Sequence, residues 1–422
     1  MSLRALLIAP LAFTFVNGCA PSSQNPRHDK FFIVVVGDGV ETTLAVPGVK
    51  PPAAENTTPN IEQGRAMHRG VLAAAKLNQF KGLSSLVTLH SIDDFGDPVN
   101  ASLIAGALSH RPEVIAVIGH GTSSTTHAAI PAYCGVGIPL IMPIATNPKV
   151  AIADDTKRTF TNCFRLPLDD TAQAKAVGLF AIHNLKKRRL CVIYDSSKEA
   201  GTYSVFLAHE IGKYVRPTDF CRFDLENHSL ADLRSHVKAA MNRFDAIVYC
   251  GYANKVNGVI EEFRNVYSAS AEPNRPPLIL TDSCKVPILN TSGFKAYVCF
   301  PCPPLDELDT PDKVRDLRQA MHVERDDESY HVLGYDALLL LSEVITELTA
   351  RNLPISRASI IDALRSGDYP LRGLGQTPYH FSHVNSVSSY YIFEASTDQA
   401  TKATFKLARK YTSDDLAAEL PK

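Results

Sequence analysis

Residues 114–150, VIAVIGHGTSSTTHAAIPAYCGVGIPLIMPIATNPKV, are the stretch that decides the fold. The stretch opens on a short β-branched run, residues 114–118, which is typical of a strand buried in a parallel sheet. A second apolar run, residues 138–142, has the same character, and a helical pattern over residues 124–134 separates the two. A strand, a helix and a strand in this order favour an open α/β sheet.

Each of these two strands ends in a turn that carries hydroxyl side chains. The first turn continues into the run TSSTT at residues 122–126, and the second, PIATNP at residues 143–148, contains Thr146. Open α/β sheets bind ligands beyond the carboxyl ends of their strands, where the free N–H groups of a helix start also lie. Two neighbouring hydroxyl turns therefore predict a carboxylate site. The alternative is that these Ser and Thr residues only cap a helix.

Strand and helix patterns alternate in two series along the chain, and 422 residues are too many for one typical core. We therefore predict an α/β protein with two doubly wound parallel-sheet lobes. The first series has strands at residues 32–36, 86–90, 114–118 and 138–142 and helices at 63–78, 100–109 and 124–134. The second has helices at residues 171–184, 201–214, 230–243 and 255–268 and strands at 190–194, 220–225, 246–249 and 278–281.

The remaining segments predict how the lobes connect. Residues 298–303 should cross back, the helices at 310–321, 330–350 and 356–366 should rejoin the first lobe, and strands near 379–382 and 390–394 should belong to the second. Three crossovers then form a hinge. The Pro-rich residues 44–60 predict a long surface loop near the cleft. The predicted boundaries are residues 31–164 plus 303–372 for lobe 1 and 165–302 plus 373–422 for lobe 2.

The amino terminus predicts export. Arg4 precedes an apolar stretch of twelve residues, 5–16, which is too short to span a bilayer as a helix. The tetrapeptide VNGC that ends at Cys19 resembles a lipobox, although Asn17 stands where a small or β-branched residue is usual.

We therefore predict a lipoprotein-type signal peptide over residues 1–19 with a lipid on Cys19, followed by a flexible tether over residues 20–30. The alternative is cleavage after Ala20, which would release a soluble periplasmic protein.

Eight cysteines follow Cys19, and an even number in an exported protein permits disulfides whose pairing cannot be read from the sequence. We favour small buried hydrophobic side chains for those in apolar strands, such as Cys191 and Cys250. Cys299 and Cys302 have the spacing of a redox or zinc pair, but a second such pair is missing, so we predict no metal and no cofactor.

The net charge and the absence of catalytic motifs limit the possible classes of function. The formal net charge of −1 gives no indication of nucleic acid as a partner. The sequence contains no HExxH, GxSxG, phosphate-binding loop or dinucleotide-binding glycine motif. We therefore predict a binding protein and not an enzyme.

The two hydroxyl turns resemble those of type I periplasmic binding proteins, specifically the branched-chain amino acid (leucine, isoleucine, valine) receptor family. In that family a GHxxSSxT-like turn and a PxATxP turn hold the ligand's carboxylate and ammonium groups. The resemblance covers nearly the whole chain beyond the export segment, through residues 64–78, 86–98, 164–170, 244–252, 335–337 and 373–381. It implies a Venus-flytrap fold, periplasmic binding protein-like I, with the ligand between the lobes.

The resemblance also implies roles for individual residues. Ser123 would donate to the ligand carboxylate, Thr146 would contact both carboxylate and ammonium, and the Ile144 carbonyl would accept from the ammonium. Tyr252 would close over the ligand from the second lobe. Asp282 would pair with the ammonium, the alternative being a turn or cap residue.

Further residues complete the predicted site and distinguish it from the family. Ser124 belongs to the first turn. Ala200 stands where the family usually has an aromatic side chain, and Gln63 stands where an aromatic or polar residue often lines the cleft. Thr122 occupies the place of a family cysteine, so the family's disulfide does not carry over. A remodelled pocket leaves open an amino acid, an aromatic or keto acid, or an amide.

By resemblance, the chain is an extracytoplasmic solute-binding protein of an ABC importer. It would bind an amino acid or a related small carboxylate or amide by hinge closure and deliver it to a permease in the membrane, as a monomer or weak dimer. Two alternatives on the same fold are a ligand sensor and a lipoprotein that regulates a cell-wall synthase.

Overall fold

The computed structural model describes residues 30–51, 61–152, 160–197, 201–215, 220–271, 274–305, 308, 311–321, 330–366, 379, 381, 389–397 and 403–417. The predictions for the signal peptide, Cys19, most of the tether and Ala200 fall outside these residues. Within the described part of the chain, no helix has the length and apolar character needed to cross a membrane.

The first sheet has five parallel strands in the order β2-β1-β3-β4-β5. Its strands are β1 (Phe31–Gly37), β2 (Val87–Asp93), β3 (Val114–Gly119), β4 (Leu140–Met142) and β5 (Cys163–Arg165). The helices between them are α1 (Ile61–Ala75), α2 (Asn78–Gly82), α3 (Pro98–Ser109) and α4 (Ser123–Gly135).

The sequence of strand β1 is continuously apolar because both faces of the strand are buried. Ile33 and Val35 pack into the core on one face of the sheet, and Val34 and Val36 pack into the core on the other. All four side chains are fully buried, as expected of a parallel strand covered on both faces.

The second sheet has seven strands in the order β12-β11-β10-β9-β8-β6-β7. Strands β6 to β10 are parallel to one another, whereas β11 is antiparallel to both β10 and β12. The strands are β6 (Leu190–Tyr194), β7 (Phe220–Asp224), β8 (Ala246–Cys250), β9 (Leu278–Leu280), β10 (Ala296–Phe300), β11 (Tyr390–Thr397) and β12 (Ala403–Tyr411). The helices are α5 (Asp170–Leu179), α6 (Gly201–Gly212), α7 (Leu230–Ala240), α8 (Ala253–Val266) and α12 (Ser413–Ala417).

Three further helices follow β10, namely α9 (Pro311–Met321), α10 (His331–Ala350) and α11 (Arg357–Ser366). Helix α10 crosses α1 closely at two glycines. A Cβ atom on Gly70 would lie 2.0 Å from the His331 carbonyl oxygen, and one on Gly334 would lie 2.0 Å from that of Met67. This packing places α10 in the first lobe, and the predicted architecture of two α/β lobes is confirmed.

The structure differs from the sequence-based expectation in three places. The return to the first lobe begins after Phe300, because residues 298–300 belong to β10. The segment near Tyr379 was expected in the second lobe, but the Tyr379 hydroxyl donates to Asp336 of α10, and the Phe381 ring packs edge-on against Phe164. Strand β12 was not predicted at all.

Candidate ligand-binding site between the lobes

The first hydroxyl turn begins α4, and most of its hydroxyl groups are used within the turn. Thr122 and Thr125 form a reciprocal capping box, with N–H to Oγ1 distances of 3.1 and 3.2 Å. The Thr126 hydroxyl donates to the Thr122 carbonyl, and the Ser124 hydroxyl bonds with that of Thr122. Helix capping therefore accounts for these residues, but Ser123 faces the space between the lobes.

The second hydroxyl turn lies beside the first and is held by a buried arginine. The Arg165 guanidinium donates to the carbonyls of Ala145 and Asn147, at 2.9 and 2.7 Å. The Asn147 N–H in turn donates to the Ser123 hydroxyl at 3.4 Å. Burial lowers the pKa of Arg165, although nearby carboxyl groups, Asp169 first, oppose this. No sequence pattern indicated that Arg165 would hold this turn.

The second lobe presents a carboxylate opposite these turns. Asp282 follows β9, is 2% exposed, and accepts hydrogen bonds from Tyr203 at 2.6 Å and Tyr330 at 2.7 Å. The Tyr203 ring stacks on Tyr252 with centroids 5.3 Å apart, and the Tyr249 hydroxyl donates to the Tyr252 carbonyl. Asp282 is thus held in place by phenol groups from two separate parts of the chain.

These side chains surround a small cavity, which has about 10 Å³ of free volume in this conformation. It is lined by Gln63, Thr122, Ser123, Ile144, Thr146, Tyr203, Tyr252, Asp282, Ser283 and Tyr330. Six residues of the predicted site are therefore brought together, although Ser124 is not among the lining residues. Tyr203 and Tyr330 were missed because they lie far apart in sequence, next to no recognisable motif.

The cavity is an electrically negative environment. Asp282 is the only charged side chain among the lining residues that the structure describes. Asp170, fully buried nearby, has its pKa raised well above the usual range by burial first and then by Asp282, while contact with Thr146 opposes the shift. Burial, followed by Asp170 and Asp282, also raises the pKa of Tyr252. Such a pocket favours a ligand group that carries positive charge.

The opposite end of the cavity suits an anion. Ser123 is the first residue of α4, so its N–H is one of the donors that no intrahelical carbonyl satisfies. Behind it, His120 bonds through Nδ1 to Asp94 at 2.6 Å and through Nε2 to Tyr133 at 3.1 Å. This buried chain of hydrogen bonds fixes the segment that leads into the helix.

Two α/β lobes with a polar cavity between them define the class of two-lobed ligand-binding proteins. Residues 55–400 match the model of the periplasmic binding protein family, and the chain belongs to that family. The sequence-based resemblance to its type I, branched-chain amino acid members is confirmed.

Two relatives are similar to this chain over part of their length. The chain is 31% identical over 159 residues to an amino acid binding protein of Pseudomonas aeruginosa, and 31% identical over 143 residues to a Leu/Ile/Val-binding protein homologue of Brucella abortus. These matches span 37% and 33% of this chain and 41% and 37% of the two relatives. The matched part is thus less than half of each relative.

Solved structures share the fold over most of the chain. A leucine binding protein from Thermotoga maritima superposes with a TM-score of 0.70 at 19% identity, covering 91% of this chain and 99% of the other. A solute binding protein of an ABC transporter from Rhodopseudomonas palustris, in complex with 3,4-dihydroxybenzoic acid, gives 0.69 at 14% identity, covering 91% and 98%.

Proposed function

We propose that this protein is the extracytoplasmic solute-binding component of an ABC importer and that it binds an α-amino acid in the cavity between its lobes. The observation that carries the proposal is the polarity of the cavity. Ser123 and the start of α4 lie at one end, and a buried carboxylate, Asp282, lies at the other.

The proposed pose follows from this polarity. The ligand carboxylate accepts from the Ser123 hydroxyl and N–H, and Thr146 lies within reach of both ligand groups. The ammonium donates to Asp282 and to the Ile144 carbonyl, and Tyr252 covers the ligand from the second lobe. Gln63 borders the ligand side chain, and Ser124 supports the first hydroxyl turn through its hydrogen bond with Thr122.

Asp282 favours an amino acid over an aromatic or keto acid. A benzoate would bring no cation to this carboxylate, so it would lack the hydrogen bond between charged groups that an ammonium makes there, which contributes about 1.5–3 kcal/mol. The names of the Pseudomonas and Brucella relatives point to the same class.

Closure is the proposed mechanism. Tyr330 immediately precedes α10, which packs on α1 in the first lobe, whereas Asp282 follows β9 in the second. Their hydrogen bond therefore joins the lobes and would break on hinge opening. Membership of the family implies an extracytoplasmic location. We include in the proposal a lipid anchor on Cys19 and recognition of the closed form by a membrane permease.

A thermal-shift screen of the purified protein tests the proposal. Each amino acid is paired with its des-amino analogue, and keto acids, benzoates and short amides are included. A ligand at about a hundred times its Kd adds roughly 2.7 kcal/mol to stability, which gives a clear rise in Tm. A shift with benzoates or keto acids but not amino acids would overturn the proposed ligand class. No shift with any class would overturn solute binding.

A further inference from the structure

Two cysteines and a histidine meet at the edge of the second sheet. Cys191 of β6 and Cys221 of β7 are directly opposite each other in the parallel register, and His236 lies on α7. Their ligand atoms all lie within 4.8 Å of one another, and Cys221 Sγ is 3.0 Å from His236 Nε2. Three soft or borderline donor atoms from three separate elements thus converge on one point.

We propose that Cys191, Cys221 and His236 bind a zinc ion, with the fourth position open to water. Zinc prefers four tetrahedral ligands at about 2.3 Å for sulfur and about 2.0–2.1 Å for imidazole nitrogen, so neighbouring ligand atoms lie about 3.5–3.8 Å apart. The 3.0 Å between Cys221 Sγ and His236 Nε2 therefore needs to widen by only about half an ångström. Cys221 and His236 are half-buried, which leaves a path for the ion from solvent.

Zinc binds cysteine as the thiolate, so binding of the ion at this site would release thiol protons to solvent.

The site lies at one edge of the second sheet. Strand β7 is the edge of the seven-stranded sheet and pairs only with β6 among the described strands. The ion would tie this edge to β6 and to α7. Cys191 and Cys221 are each the second residue of their strands, whereas the ligand cavity lies beyond the carboxyl ends, so the zinc site is independent of solute binding.

The test measures zinc bound to the full-length protein after reduction, removal of metal, and titration with Zn²⁺ alone. Equimolar zinc, a raised Tm and a thiolate-to-cobalt absorption band with Co²⁺ are expected for the wild type. His236→Asn should weaken zinc binding by at least about tenfold and shift the cobalt spectrum. Cys221→Ser should remove the thiolate band contributed by that sulfur.

His228→Asn is the matched control. His228 packs on Phe223 at 5.0 Å, as His236 does at 5.1 Å, but is not one of the converging donors. Unchanged zinc affinity in His228→Asn with loss in His236→Asn supports the site.

Equal affinity in wild type and His236→Asn would overturn the proposal. Mass spectrometry that shows a Cys191–Cys221 disulfide in the exported protein would also overturn it. Amino acid affinity should stay the same in every one of these variants, so failure here is distinguishable from failure of the proposed function.

Discussion

Replacing Asp282 with Asn tests the ligand class most directly, because it removes the charge and keeps the shape. The carbonyl of the new amide can accept from one of the two phenols, Tyr203 or Tyr330, and its NH₂ group can donate to the oxygen of the other. The site also loses the desolvation cost of a buried carboxylate, which offsets the weaker hydrogen bonds. We therefore expect the free energy of unfolding without ligand to change by no more than about 1 kcal/mol.

Binding should respond much more strongly. A hydrogen bond to a charged group contributes about 1.5–3 kcal/mol, so the Kd for an amino acid should rise about 10- to 150-fold. Isothermal titration calorimetry with an amino acid and its des-amino analogue measures the effect. The wild type should prefer the amino acid, and D282N should lose most of that preference.

Tyr203→Phe is the control. It removes one phenol but keeps the carboxylate and the ring that stacks on Tyr252, so the Kd should rise only about 2- to 12-fold with the amino preference intact. Unchanged discrimination in D282N would refute the assignment of the ammonium to Asp282. A large loss of ligand-free stability with no loss of affinity would assign Asp282 to the fold instead.

Other parts of the molecule support three further tests. Ser123→Ala should raise the Kd about tenfold, whereas Ser124→Ala should change it less than about twofold, because Ser124 does not line the cavity and its hydroxyl bonds with that of Thr122. Equal effects in calorimetry would contradict the proposed pose. Asp170→Asn should raise Tm relative to the wild type above about pH 5, by an amount that grows with pH, and leave Tm unchanged near about pH 4. The pKa of the Asp170 carboxyl is raised on folding, so this group lowers the stability of the wild type as pH rises from the pKa of the unfolded state to that of the folded state. Parallel Tm–pH curves for variant and wild type would show that Asp170 does not act this way. Gly70→Ala should lower the free energy of unfolding in urea by about 1–3 kcal/mol or more, because its Cβ would lie 2.0 Å from a backbone oxygen of α10. Gly106→Ala, in open space on α3, should raise the free energy by up to about 1 kcal/mol, and the same sign for both would contradict the helix-crossing argument.

The strands most evident in the sequence are those buried on both faces. Strands β1 and β3 are continuous apolar runs because helices cover both sides of their sheet. Strand β12 escaped prediction because it is an edge strand, and its sequence ATFKLARKY carries three basic side chains and only a few buried ones. Strand β5, with three residues, is too short for any periodicity.

The candidate site also contains residues that the sequence predicts and residues that it does not. The hydroxyl turns could be found from the sequence because each follows its own strand directly, and Asp282 through the resemblance to the family. Tyr203 and Tyr330 could not, since one lies in α6 and the other immediately before α10, and only tertiary packing brings both hydroxyls to Asp282.

The hydrogen bond between Tyr330 and Asp282 connects ligand chemistry with closure. A ligand held only by Ser123 and Thr146 touches the first lobe, so its contacts are the same in the open and closed forms, and it cannot shift the equilibrium between them. An ammonium that reaches Asp282 gains a contact to the second lobe only on closure. An ionised carboxylate accepts about four hydrogen bonds, so Asp282 can keep both phenols and still bind the ammonium. On the proposed function, the amino group therefore adds the charged contact that favours closure, beyond the contact with Tyr252, and a des-amino analogue would bind more weakly and shift the hinge less.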